Sequence, residues 1–169
     1  MLSRLKKTEQ NPQWHPEGNV WNHTLNVVDN GALVREKSAD ETVFMWSCLL
    51  HDIGKPPTTR VRRGKITAYD HDKVGEKLSA EFLSAFNCDD EFIYKVSKMV
   101  RWHMQVLMVV KNLPFADLET MVGEVPANEI ALLAMCDRLG RGEVTDRIIS
   151  EEKKNIERFL EKCMLLLDP

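Results

Sequence analysis

The stretch "LLHDIGKPPTT", Leu49 to Thr59, ends an apolar helical run on an imidazole and a carboxylate side by side, with Gly54, Lys55 and two prolines directly behind. A core helix has little use for the His51–Asp52 pair, because a buried carboxylate that lacks a partner gives up its hydration for nothing. A metal site does have a use for it. Asp40 is a natural N-cap for a helix through Val43, Phe44, Trp46, Ser47, Leu49 and Leu50, which Gly54 and Pro56 stop. Adjacent side chains diverge within a helix, so both can reach one centre only at its end, where Gly54 and Pro56 put them.

Working outward from this pair, the chain reads as further helices. From Asn19 to about Lys37, apolar residues at Val20, Leu25, Val27, Val28, Ala32 and Val34 recur with a loose helical period, with His23 in the second turn and Gly31 as the weak point. The segment "TTRVRRGKITAYD" predicts a loop or short hairpin turning at Arg63 and Gly64. Asp70 is expected to cap a helix through Val74, Leu78, Phe82 and Ala85, with His71 at its start. Asp89 is expected to cap the next, where His103 shares the stripe of Phe92, Ile93, Val96, Met99 and Val100. "FADLETMV" predicts a short helix, and "PANEIALLAMCDRL" one with Ile130, Leu133, Ala134 and Asp137 along a face. A last amphipathic helix runs from about Thr145 to Leu167. The fold class is all-α, and 169 residues are expected to make a single domain.

A formal charge of −3 excludes a protein that holds nucleic acid by bulk electrostatics, though not one with a local basic patch. The basic N-terminus has no apolar stretch behind it, and no run of about eighteen apolar residues occurs, so neither signal peptide nor membrane span is expected and the location is read as cytoplasmic. Cys48, Cys88, Cys136 and Cys163 are scattered without a C-x-x-C pair, which reads as buried free thiols.

His23, His51, Asp52, His71, His103 and Asp137 thus arrive on inward faces or helix ends. Burying these groups together without a cation is costly, and a divalent ion removes that objection. Imidazole with carboxylate suits manganese, iron, cobalt, nickel, zinc or magnesium, and the set lacks the thiolates of a structural zinc site. The number of ions is one or two per chain. Two ions about 3.5–4 Å apart can hold a hydroxide and neutralise phosphate oxygens, the chemistry of phosphoester hydrolysis.

The ordered pattern H…HD…H…H…D, with "HPEGNVWNHTLNVVD", "LLHDIGKPPTT", "YDHDKVGEKLS" and "CDRLGRGE", resembles the HD-domain superfamily of metal-dependent phosphohydrolases. It is most similar to the HD region attached to bacterial CCA-adding tRNA nucleotidyltransferases, over roughly residues 12 to 145. The resemblance implies an HD-domain helical bundle. It implies that His23, His51, Asp52 and Asp137 hold a first ion, with Asp52 able to bridge, and that His71 and His103 serve a second. It also implies that Lys55 faces the substrate phosphate. A nucleotidyltransferase head does not fit in 169 residues, so CCA addition is not expected, and the helix after Thr145 carries none of the motif.

The expected activity is hydrolysis of a phosphomonoester, phosphodiester or phosphoanhydride in a nucleotide or RNA end. His15 is a candidate proton donor to the leaving group, and Arg62 and Arg63, in a basic cluster with Arg60 and Lys65, are candidate substrate contacts, as are Arg138 and Arg141. The competing readings are a metal-stabilised module that binds RNA, a nucleotide or a protein partner without catalysis, with Trp14, Trp21, Trp46 and Trp102 available to stack on bases, and a regulatory nucleotide binder. A homodimer through the last helix is open.

Overall fold

Asn19 starts the first helix, α1 (Val20–Ala32), by accepting the Asn22 amide proton at 3.0 Å. The computed structural model describes residues 1–167. The expected extension to Lys37 does not form as α-helix: the chain leaves α1 at Leu33 and makes a 3₁₀ turn, Arg35–Lys37. Gly31 is required by packing, since a Cβ there would lie 2.8 Å from Cys48 Sγ on the neighbouring helix.

That neighbour, α2 (Glu41–Leu50), is capped by Asp40, which accepts the Val43 amide proton. Beyond Leu50 the backbone tightens: Ile53 N–H bonds Leu50 O and Lys55 N–H bonds Asp52 O, both at 3.0 Å. These short turns bury His51, Asp52, Ile53, Gly54 and Lys55 in succession, which a continuing amphipathic helix cannot do. A single helical turn, α3 (Lys55–Thr58), leads into the antiparallel hairpin β1 (Arg60–Arg62) and β2 (Lys65–Thr67), in which Val61 pairs Ile66. Arg63 and Gly64 both have positive φ, 51° and 74°, as a two-residue primed turn demands.

The remaining helices are α4 (His71–Ser84), α5 (Asp90–Trp102), α6 (Gln105–Val110), α7 (Leu118–Glu124), α8 (Ala127–Leu139) and α9 (Asp146–Leu167). Asp89 caps α5 through the Phe92 amide at 2.8 Å. Asp70 does not cap α4 with its side chain: it takes a left-handed φ of 58°, and its carboxylate pairs with Lys73 instead. The all-α reading holds apart from the hairpin.

One core cluster gathers Val27, Phe44, Leu50, Leu83, Val100, Leu133 and Phe159 from α1, α2, α4, α5, α8 and α9, each side chain contributing about 1.5–3 kcal/mol on burial. Cys48, Cys136 and Cys163 are buried and Cys88 half-buried, all four free. The N-terminal 3₁₀ segment Leu2–Lys7 and α6 have no counterpart in the sequence reading, although Leu5 is fully buried. No helix among the described residues is long and apolar enough to cross a membrane.

Candidate metal centre

Helix ends deliver the polar cluster. His51 and Asp52 follow α2, His71 opens α4, His103 follows α5, His23 sits in the second turn of α1, and Asp137 lies in the last turn of α8. All six are buried, none more than 8% exposed.

Asp52 lies at the middle. Its Oδ2 is 3.2 Å from His51 Nε2 and 3.8 Å from His23 Nε2, and its Oδ1 is 3.5 Å from His71 Nε2 and 3.9 Å from His103 Nε2. One carboxylate therefore shows one oxygen to each of two groups, with Asp137 joining the first through His23 Nε2 at 2.9 Å.

Backbone carbonyls orient the rings. His51, His71 and His103 donate their Nδ1 protons to Cys48 O, Ala68 O and Val100 O at 2.8, 2.7 and 2.7 Å. A carbonyl only accepts, so the neutral form of each ring turns a bare Nε2 toward Asp52. His71 Nε2 and His103 Nε2 face each other at 3.2 Å. His51 Nε2 is buried with no hydrogen-bond partner among the described residues. Lone pairs converging on an ionised carboxylate are a donor set for a divalent cation, and the residues present fit one.

Two cations border the acidic groups. Lys55 Nζ lies 2.7 Å from Asp52 Oδ2 and donates to Gln10 Oε1 at 2.6 Å, while Arg141 grips Asp137 through Nη2 at 2.6 Å. Burial opposes ionisation of both carboxyls, yet Lys55 holds Asp52, and Arg141 with His23 holds Asp137, well below the usual range. Burial also lowers His103, helped by the nearby His71 and His51 rings, to about 3.

Glu17 went unrecognised in the sequence. Its Oε1 accepts from His15 Nδ1 at 2.8 Å and from His23 Nδ1 at 2.9 Å. Against the cost of burial, those two bonds hold its carboxyl at about 2. Burial likewise opposes the charge on His23, but Asp137 and Glu17 together raise it to about 9. Only the Pro-Glu-Gly neighbourhood hinted at this role, and a loop glutamate reads as solvated.

The centre floors a pocket of about 630 Å³ whose walls include Trp14, Met104, Leu107 and Val110. His15, Lys55, Arg138 and Arg141 line it. Burial lowers His15, and its Nδ1 is committed to Glu17, so Nε2 is the ring nitrogen left for the pocket that His15 lines. Arg138 is tied by Nε to Glu152 Oε1 at 2.7 Å. Arg62 and Arg63 do not line the pocket: the turn carries them outward, and Arg62 lies 5.2 Å over the Tyr69 ring. The last helix, assigned no part in the sequence, contributes Glu151, Glu152 and Asn155 to the wall. Of the tryptophans, Trp14 is exposed at the pocket, while Trp46 packs against Phe92 and Trp102 is buried. A second, more open groove, lined by Val109, Leu113 and Lys162, lies away from the ligand cluster.

A segment of the chain is 30% identical over 90 residues to the A-adding tRNA nucleotidyltransferase of Deinococcus radiodurans, covering 48% of this chain and 20% of that protein. Another is 40% identical over 57 residues to the Multifunctional CCA protein of Aromatoleum aromaticum, covering 34% of this chain and 13% of that protein. The chain thus matches only a fifth or less of the length of these curated relatives. The HD domain family model matches residues 20–142, the span from the start of α1 past Asp137 that holds all six clustered side chains, and the chain belongs to the HD domain family.

Proposed function

We propose that the protein is a metal-dependent phosphohydrolase acting on a phosphate ester or anhydride of a nucleotide or RNA end. The observation that carries this reading is Asp52, whose two carboxylate oxygens are divided between the His23/His51 side and the His71/His103 side of one buried cluster. When bound there, divalent ions lower the pKa of water and neutralise phosphate oxygens. The pocket volume of about 630 Å³ is in the range of small-molecule sites, about 300–1,000 Å³.

The chain's own groups complete the chemistry. Lys55 and Arg141 bring fixed positive charge to the pocket floor, where a phosphate loses its water and its charge needs compensation. Gln10 orients the Lys55 ammonium. His15, held by Glu17, offers a proton acceptor at the rim through Nε2. Trp14 and the apolar wall at Leu107 and Val110 give a flat organic group, such as a base, somewhere to stack. The tRNA-related names of the relatives favour a nucleotide or RNA end over other phosphates.

The test combines metal content of the purified protein with hydrolysis of a generic phosphomonoester and phosphodiester in manganese, nickel, cobalt or magnesium. Metal-dependent turnover that Asp52→Ala abolishes is expected. Binding of ions and nucleotides without turnover in any of these metals would replace the enzyme by a metal-stabilised binding module.

A further inference from the structure

We propose that Arg101, acting through Asp72, is a positioning residue that holds His71 and His103 together and so sets the position of the second ion. The inference rests on the reading that the cluster binds divalent ions, and it concerns residues outside the ligand set.

His71 and His103 have each spent Nδ1 on a carbonyl, and their Nε2 atoms are 3.2 Å apart. Two lone pairs at that separation repel, so the scaffold must hold the rings in place. His71 is the first residue of α4 and His103 lies just past the end of α5, positions where helices fray. Their chain neighbours supply the restraint. Asp72 Oδ2 accepts from Arg101 Nη1 at 2.6 Å, with the two side chains 6% and 17% exposed. The Arg101 guanidinium also lies 4.1 Å over the Trp102 ring, and Trp102 Nε1–H donates to Glu124 Oε2 at 2.7 Å. Lys98 Nζ bridges Glu76 at 2.8 Å and Glu124 at 2.9 Å.

One polar network therefore ties α4, α5 and α7 beside the two imidazoles. Gly75 helps, because α4 passes so near Val100 that a Cβ would lie 2.9 Å from its Cγ1. The first group relies on other supports, namely Glu17 for His23, the Cys48 carbonyl for His51 and Arg141 for Asp137. None of these belongs to the Arg101 network, so disturbing that network reaches one ion position and spares the other.

The experiment loads wild type, Arg101→Met, Arg101→Lys and Asp72→Asn with graded manganese. Bound metal is read by mass spectrometry, the exchange-coupled pair by electron paramagnetic resonance, and helix content by circular dichroism. Wild type should bind two ions with a coupled signal. Arg101→Met should keep its helix content and first ion, weaken the second by about 10–100-fold, the usual effect of removing a ligand's support, and lose the coupled signal. Arg101→Lys and Asp72→Asn, which keep a hydrogen-bonded pair, should restore most of both. Unchanged loading in Arg101→Met overturns the proposal, as does parallel loss of both ions that Arg101→Lys does not repair. A wild type that binds one ion overturns it while leaving a metal site, and one that binds none overturns the metal reading as well.

Discussion

The Nε2 atoms of His71 and His103 stand 3.2 Å apart, and neither ring has a proton to place between them once its Nδ1–H is bonded to a backbone carbonyl. A cation relieves that repulsion. Saturation with a suitable divalent ion at about 100 times its Kd adds about 2.7 kcal/mol of stability. For a chain of 169 residues this is a rise in Tm of about 5–10 °C. Thermal melts in chelator and in manganese or nickel measure it, and equal melting points would count against the centre.

Glu17 supports His23 from behind, accepting its Nδ1 proton at 2.9 Å. Glu17→Gln keeps the size and removes the charge that fixes the ring. Affinity for the first ion should fall about 10–100-fold, with the ion at His71 and His103 little changed. Metal titration by calorimetry checks this, and two equally weakened sites would mean that Glu17 acts on the fold at large.

Stability of the metal-free protein should peak near neutrality. His103 titrates at about 3 against 6.5 unfolded, so its contribution is present above 6.5 and is lost as pH falls toward 3. His23 is raised from 6.5 to about 9, so its contribution is full below 6.5 and disappears as pH rises through 9. Glu17, lowered from 4.5 to about 2, adds a further loss as pH falls from 4.5 toward 2. Urea denaturation in chelator across this range should give a maximum near 6.5, and a stability still climbing above 9 would be inconsistent with the His23 pairing.

That these six side chains converge is legible because their residue types are conspicuous where they stand. His51, Asp52, His103 and Asp137 interrupt apolar stripes or end them, and the distance in sequence between them does not hide that. Glu17 was not legible, because a glutamate between Pro16 and Gly18 looks like any solvated loop residue until His15 and His23 are seen on either side. Glu152 and Asn155 lie on a helix with no motif, and the packing of α9 against α8 and α6 brings them to the pocket. The hairpin was readable from its β-branched residues and Arg63-Gly64 turn, but whether its arginines reach the pocket depends on where the turn points. In the sequence Gly54 reads as a helix stop, yet its φ of −80° is ordinary and the requirement for glycine there is close contact.

That contact makes Gly54→Ala a severe change. A Cβ at this position would sit 2.0 Å from the His71 carbonyl oxygen and 2.6 Å from the Gly75 amide nitrogen, both backbone atoms that cannot swing aside. Overpacking of this kind costs about 1–3 kcal/mol and more where backbone must move, so a loss of about 3 kcal/mol is expected together with displacement of His71. Chemical denaturation checks the first part and metal stoichiometry the second. A variant of wild-type stability would mean that α4 can slide away from the loop freely.

His23 and Asp137 meet at 2.9 Å although 114 positions separate them in the chain. Such a closure is among the slowest contacts for a folding chain to make, since a long loop must be shut before it is rewarded. The first ion would then find a finished site only after the rate-limiting step, and its binding would act on the return journey. Metal should slow unfolding while leaving the refolding rate nearly unchanged, which would make the loaded cluster a kinetic latch on the whole bundle.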